Sequence, residues 1–481
     1  MKVSPLPSDL SAERTSPGGG LPVAPSLEPQ LQTGVVTPSP FLADRRTVFI
    51  SALAIALGLL STSMSRVLIM LIGLATNLAY FGRLSPAFSS PADNHLGYWA
   101  VLVPVGGGLV VGLMARFGSA AIRGHGIPEA MEQVLRNESR IPARITFLKP
   151  LSAAISIGTG GPFGAEGPII ATGGAIGSLV GQLIQTTASE RKTLLAAGAA
   201  AGMTATFGTP LSAILLAVEL LLFEFKARSL IPVAFACAAA AAARTFLVGR
   251  SPVFAMPTLP FPDSAAIAGY AMLGVFAGFV SIYITKLVYW LEDLFDRLPL
   301  HWMWWPALGG VAVGAVGIAS PHTLGVGYEN IEQILSGSLS GQVLLTFCLL
   351  KLVSWSIALG SGTSGGTLAP LFTIGGGLGA LSGVLLSETF HMTSVDARMA
   401  ALVGMAAVFA GSSRAFLTSL IFAFEATHQQ SALLPLLSGC TAAYLVSSLL
   451  MRNTIMTEKI VRRGIVVPSE YSADLGLSSR A

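Results

Sequence analysis

The chain has 481 residues, 52% hydrophobic and only 11% charged, with a net charge of +4 and a mean hydropathy of +0.70. Soluble domains carry about 25% charged residues, so a water-soluble fold of this length would leave large apolar areas exposed. That excludes a soluble globular enzyme, a nucleic-acid binder and a disordered chain, and points to a polytopic membrane protein. Basic residues sit in short clusters beside apolar runs, and no broad basic stripe suggests DNA or RNA. Cys237, Cys348 and Cys440 lie singly in apolar stretches, as small buried hydrophobes do. No Cys/His spacing suggests a metal centre, and no cofactor is expected.

Residues 1–40 hold eight prolines among Ser, Gly and Thr. Such a stretch cannot bury a core, so a disordered arm is expected over 1–44. No apolar run follows Lys2, so the layout of a cleaved signal peptide is missing. Arg45 and Arg46 then precede the first apolar run, which predicts a cytoplasmic N-terminus. Apolar segments follow at about 47–81, 98–116, 144–160, 168–185, 193–207, 210–223 and 229–248. Beyond a linker at 250–263 they continue at 264–291, 304–318, 343–359, 370–388, 397–412, 415–427 and 433–451. Several fall short of the roughly 20 residues that span a bilayer, whereas the two longest can cross at a strong tilt. Short apolar helices broken by Gly and Pro are the mark of discontinuous membrane helices. Two membrane repeats are expected, 45–249 and 264–464, followed by a short tail at 465–481. The 25 residues after Met456 are too few for a nucleotide-binding regulatory domain.

The repeat is visible in the residues. Gly158-Thr-Gly-Gly-Pro-Phe-Gly-Ala-Glu-Gly-Pro168 aligns with Gly360-Ser-Gly-Thr-Ser-Gly-Gly-Thr-Leu-Ala-Pro370 at an offset of 202, and Gly198…Glu219 aligns with Gly404…Glu425 at 206. Two homologous halves are a common plan of transporter folds, with the site where the halves meet.

Three Gly-rich loops run into a proline at a predicted helix start: Gly124-His-Gly-Ile-Pro128, Gly164-Ala-Glu-Gly-Pro168 and Gly366-Thr-Leu-Ala-Pro370. Proline fits there because the first-turn amide it lacks has no intrahelical partner. The remaining amides and the positive helix end bind anions without a fixed cation. One such loop is ordinary helix capping, but three in one membrane chain point to an anion site. Between Lys149 and Glu190 the only formally charged side chain is Glu166. A carboxylate in an apolar membrane segment marks a pathway by default. Where helix termini invite an anion, a tethered carboxylate competes for the same place. Protonation neutralises it and releases it, so Glu166 reads as a gate.

These residues resemble the CLC family of chloride channels and chloride/proton exchangers. Gly124-His125-Gly126-Ile127-Pro128-Glu129 is similar to its first loop, Gly164-Ala165-Glu166-Gly167-Pro168 to its gating loop and Gly366-Thr367-Leu368-Ala369-Pro370 to its third. Phe207-Gly208-Thr209-Pro210-Leu211 looks like the start of a further family helix. The resemblance covers about 47–464. It implies an all-α membrane protein of two inverted halves with tilted, broken helices, in a homodimer with one pore per subunit. It implies anion contacts at His125, Gly126, Ile127, Gly164, Ala165, Gly167, Thr367, Leu368, Ala369 and Met456, with Glu166 as gate. The partners implied are small inorganic anions, protons and the lipid bilayer, in a bacterial plasma membrane with both termini cytoplasmic.

Four positions depart from the family pattern. The family's serine in the first loop is His125 here, the usual aromatic in its third loop is Leu368, its tyrosine before the last helix falls on Met456, and the glutamate that relays protons in many exchangers falls on Leu220. Both side-chain hydroxyls of the central site and that relay are therefore replaced. Channel-like conduction with weak proton coupling is expected, with chloride/proton antiport as the alternative. A neutral His125 can donate one hydrogen bond to an anion, and an unperturbed imidazole gains charge near pH 6.5. Glu219 and Glu425 stand at repeat-equivalent helix ends, where capping or pairing is expected. Lys351 is expected to snorkel to the interface. A rival of another class rests on Gly362-Thr363-Ser364-Gly365, which fits the GxSG pattern of rhomboid intramembrane serine proteases. It requires Ser364 and His428 within hydrogen-bond reach.

Overall fold

The computed structural model describes residues 44–468, so nearly all of the expected N-terminal arm and most of the tail lie outside the described residues. The first half runs α1 (Arg45–Phe81), α2 (Leu102–Phe117), α3 (Ile127–Arg136), α4 (Ala143–Gly158), α5 (Glu166–Leu183), α6 (Ala188–Phe207), α7 (Pro210–Leu216) and α8 (Ala227–Val248). The second runs α9 (Ser264–Asp296), α10 (Trp305–Ala319), α11 (Tyr328–Ser336), α12 (Gly341–Gly360), α13 (Leu368–Glu388), α14 (Ala397–Ser413), α15 (Phe416–Thr427), α16 (Leu433–Leu450) and the short α17 (Glu458–Arg462). Every apolar segment read from the sequence is a helix, although α7 passes into a π-wound stretch at Ala217–Leu222.

Among the described residues, eight helices are long and apolar enough to cross a membrane. The two longest, α1 with 37 residues and α9 with 33, extend to about 55 and 50 Å at 1.5 Å per residue. A hydrocarbon core of roughly 30 Å accommodates them only if they tilt. Their outer faces carry Leu59, Leu60 and Met70 on α1 and Phe276, Phe279 and Tyr283 on α9, all exposed, as a lipid-facing surface requires.

The halves correspond helix for helix, α1–α8 with α9–α16, at offsets close to those of the sequence repeat. Two features relate them by a common two-fold axis. The equivalent loops at Gly164 and Gly366 pair antiparallel. The equivalent acids Glu219 and Glu425 also exchange roles. Glu219 accepts from the Leu417 and Thr418 amides, each at 2.9 Å, and from the Thr418 hydroxyl at 2.6 Å. Glu425 accepts from the Leu211 amide at 3.1 Å and the Ser212 amide at 2.8 Å. Each carboxylate thus caps the first turn of the other half's helix, α15 or α7, where amides have no intrahelical acceptor.

Within each half two helices cross glycine on glycine. A Cβ on Gly173 of α5 would lie 2.2 Å from the Gly198 carbonyl of α6, and one on Gly375 of α13 would lie 2.7 Å from Gly404 of α14. Such close backbone approach is how helices associate where no hydrophobic effect drives them together. The 250–263 stretch is more than a connection. The fully buried Phe254 is held by its amide on the Ala426 carbonyl at 3.0 Å. Its ring joins Phe207 and Phe422 in one cluster.

Candidate functional site

The three loops singled out in the sequence meet at the centre of the molecule. The Gly124 amide donates to the Thr363 carbonyl at 3.0 Å. The Gly164 and Gly366 amides donate to each other's carbonyls at 3.3 and 2.9 Å. A Cβ on Gly167 would lie 2.0 Å from the His125 carbonyl, and one on Gly366 would lie 2.6 Å from the Gly164 carbonyl. Glycine is therefore required for three sequence-distant backbones to touch. Helices α3, α5 and α13 start from this knot at Ile127, Glu166 and Leu368. The helices begin one or two residues before the prolines, so Glu166 lies in the first turn of α5 rather than in the loop. Ala165 and Thr367 occupy the N-cap positions of α5 and α13 without a capping side-chain bond. The Gly126 amide, expected as an anion donor, is taken by the Glu129 carboxylate at 2.7 Å, leaving the Ile127 amide at the first helical position.

Glu166 is 1% exposed and its side chain folds back over its own loop. A Cβ on Gly164 would come within 2.0 Å of both carboxylate oxygens. Oε1 accepts from the Ala369 amide of α13 at 2.5 Å. Oε2 accepts from the Tyr328 hydroxyl at 3.0 Å. The carboxylate of one half therefore caps the helix start of the other. It fills the place that the positive helix end offers to a negative ligand.

Tyr328 was not singled out in the sequence. It is the first residue of α11, the counterpart of α3, and Gly325-Val-Gly-Tyr328 matches Gly124-His-Gly-Ile127 at an offset of 201. Carrying the repeat offset to the first loop would have located this fourth loop. Both α3 and α11 are amphipathic and escape an apolar-segment reading. The lysines repeat too. Lys149 Nζ donates to the Ile122 and Gly124 carbonyls, both at 2.8 Å. Lys351 Nζ donates to the Thr323 carbonyl at 2.8 Å and Gly325 at 3.4 Å. The expectation that Lys351 snorkels is thereby corrected: it is fully buried, because carbonyls of the neighbouring loop satisfy its ammonium inside the protein.

His125 is buried, and its Nδ1 has no hydrogen-bond partner among the described residues. Met456 is fully buried in the turn before α17, where its amide donates to the Thr454 hydroxyl at 3.2 Å. The turn is tied to α9 by the Tyr289 hydroxyl on the Ile455 carbonyl at 2.8 Å, and the stretch that follows it is tied to α3 by the Lys459–Glu129 ion pair at 2.7 Å and by Arg463–Glu132. Leu220 lies buried in the π-wound stretch. The protease constellation does not form. The buried Ser364 hydroxyl accepts from Ser152 at 3.2 Å, whereas His428 is an exposed helix-ending residue on α15.

Comparison with known proteins agrees with this geometry. A family model described as voltage gated chloride channel matches residues 106–448. The chain is 30% identical over 375 residues to chloride channel protein CLC-f of Arabidopsis thaliana, covering 72% of this chain and 47% of the plant protein. It thus spans about half of that relative's length. It is 29% identical over 355 residues to the H(+)/Cl(-) exchange transporter ClcA of Salmonella paratyphi B, covering 71% and 74% of the two chains. Its fold matches the crystal structure of a slow cyanobacterial Cl-/H+ antiporter with a TM-score of 0.77 at 23% identity, over 88% of this chain and 98% of that one. A CLC-type fluoride/proton antiporter matches with 0.68 at 20% identity, over 84% and 96%.

Proposed function

The chain belongs to the voltage-gated chloride channel (CLC) family, and from that premise we propose that it carries chloride, or a similar small monovalent anion, through a membrane pathway gated by Glu166. The observation that carries this reading is the Glu166 carboxylate bound to the Ala369 amide at 2.5 Å. A negative group already occupies the helix terminus where a permeating anion would bind. While charged, Glu166 competes for that position; once protonated, it loses its hold on the amide and leaves. His125, Gly126, Ile127, Gly164, Ala165, Gly167, Thr367, Leu368, Ala369 and Met456 are proposed as the lining, with amides rather than fixed cations as donors. Backbone dipoles bind the ion without the tight grip of a lysine or arginine. No cofactor enters this reading.

Conduction is proposed to be channel-like, with weak proton coupling. Leu220, buried where a proton relay would stand, has no atom that accepts a proton. Obligatory chloride/proton exchange is the second reading, favoured by the exchanger names of ClcA and of the cyanobacterial structure. The two separate in proteoliposomes under a chloride gradient with external pH recorded. Chloride flux without proton movement is expected. Sustained uphill proton transport at fixed stoichiometry, abolished by Glu166→Gln, would establish the exchanger.

The proposed assembly is a homodimer with one pore per subunit, in a bacterial plasma membrane with both ends of the membrane unit cytoplasmic. Exposed Leu211, Leu417, Leu434 and Leu437 on α7, α15 and α16 offer an apolar contact face. Arg45 and Arg46 at the start of α1, and Arg462 and Arg463 at the end of α17, fit the positive-inside rule.

A further inference from the structure

We propose that the Tyr328 hydroxyl is the side-chain anion ligand of this pathway: it holds Glu166 in the occluding position and donates to the anion that takes the carboxylate's place. The proposal rests on the anion-transport reading above and adds a residue and a contact to it.

The geometry separates a fixed donor from a movable acceptor. The ring of Tyr328 is wedged edge-on against Phe207, with centroids 5.7 Å apart at 69°, and against Phe254 at 6.0 Å and 66°. The loop before it is held at Thr323 and Gly325. Lys351 grips the Thr323 and Gly325 carbonyls, and the Gly325 amide donates to the Gly160 carbonyl at 3.1 Å, joining this loop to the segment that leads into Glu166. The hydroxyl therefore stays when the glutamate, on its flexible stem, departs.

What stays has two donors facing the two oxygens of one carboxylate from two helix starts. The Ala369 amide at the start of α13 and the Tyr328 hydroxyl at the start of α11 each contact one carboxylate oxygen, at 2.5 and 3.0 Å. A spherical anion seated between them meets both. A neutral hydroxyl adds a directed bond without adding net charge, so it favours binding without trapping the ion. The first half offers no such group, since the residue equivalent to Tyr328 is Ile127. At the two central positions where the family pattern has hydroxyls this chain has His125 and Met456. Tyr328 places a hydroxyl directly beside Glu166.

Tyr328→Phe keeps the ring and its packing and deletes only the donor. The comparison is made in a Glu166→Ala background, where the carboxylate no longer competes, by calorimetric chloride titration of the purified full chain in detergent. Chloride is expected to bind about tenfold more weakly after Tyr328→Phe, with an unchanged thermal unfolding midpoint. In liposomes the chloride-to-thiocyanate flux ratio is expected to fall, because the larger anion depends less on a directed donor. Equal chloride affinity with and without the hydroxyl would overturn the proposal. So would a loss of affinity matched by a lowered unfolding midpoint, which would mark Tyr328 as packing alone. No chloride binding or flux in the parent protein would instead overturn the anion-transport reading, and the Tyr328 ligand with it.

Discussion

His125 places a buried imidazole, its Nδ1 without a partner among the described residues, at a loop whose neighbouring amide is already taken by Glu129. That loop thus offers an anion fewer donors than its sequence promises. His125→Ser introduces a freely rotating hydroxyl at the same point and is expected to tighten chloride binding about fivefold, the net value of one added hydrogen bond. Calorimetric titration checks it, and unchanged affinity would make His125 a bystander. Lys351 makes a second case. Its ammonium satisfies two carbonyls of the loop that carries Tyr328, so Lys351→Met leaves buried acceptors unpaired, at about 1–3 kcal/mol. A lowered unfolding midpoint in detergent is expected, together with weaker chloride binding as Tyr328 loses its anchor.

Among the elements, the apolar helices were legible because a membrane helix announces itself by hydropathy and length alone. Helix α3 showed only its start, at Gly124–Pro128, and α11 not at all, because each carries acids (Glu129 and Glu132, Glu329 and Glu332) on a short amphipathic turn, and only the repeat offset identifies them as a pair. The candidate site divides along the same line. Glu166 stands out as the one formally charged side chain between Lys149 and Glu190. Tyr328 is an aromatic residue among polar neighbours and gains meaning only from a contact made across the repeat. Lys351 was misjudged because its burial depends on carbonyls of a loop more than 20 residues away in sequence. The crossed caps of α7 and α15 yield a prediction at this scale. Glu219→Ala and Glu425→Ala each remove the acceptor of two first-turn amides and are expected to cost about 1–2 kcal/mol. Glu219→Ala is expected to cost somewhat more, because Glu219 also accepts from the Thr418 hydroxyl. Thermal unfolding reads the loss, and the pH dependence of anion flux should survive both changes, since neither residue contacts Glu166. A selective loss of that pH dependence would place them in the pathway instead.

For the whole molecule, the inverted halves do what neither could do singly. Each supplies helix starts to a shared centre, and the carboxylate of one half closes the terminus of the other. Gating of this kind requires Glu166 to be a titratable obstruction rather than a structural cap. Chloride efflux from liposomes, measured from pH 4 to 8 for the parent chain, Glu166→Gln and Glu166→Ala, tests this most directly. The parent is expected to pass chloride faster as pH falls, because protonation frees the carboxylate from the Ala369 amide. Both variants should lose most of that dependence, and Glu166→Ala should conduct at every pH. Efflux from either variant that kept the parent's pH dependence would contradict the account.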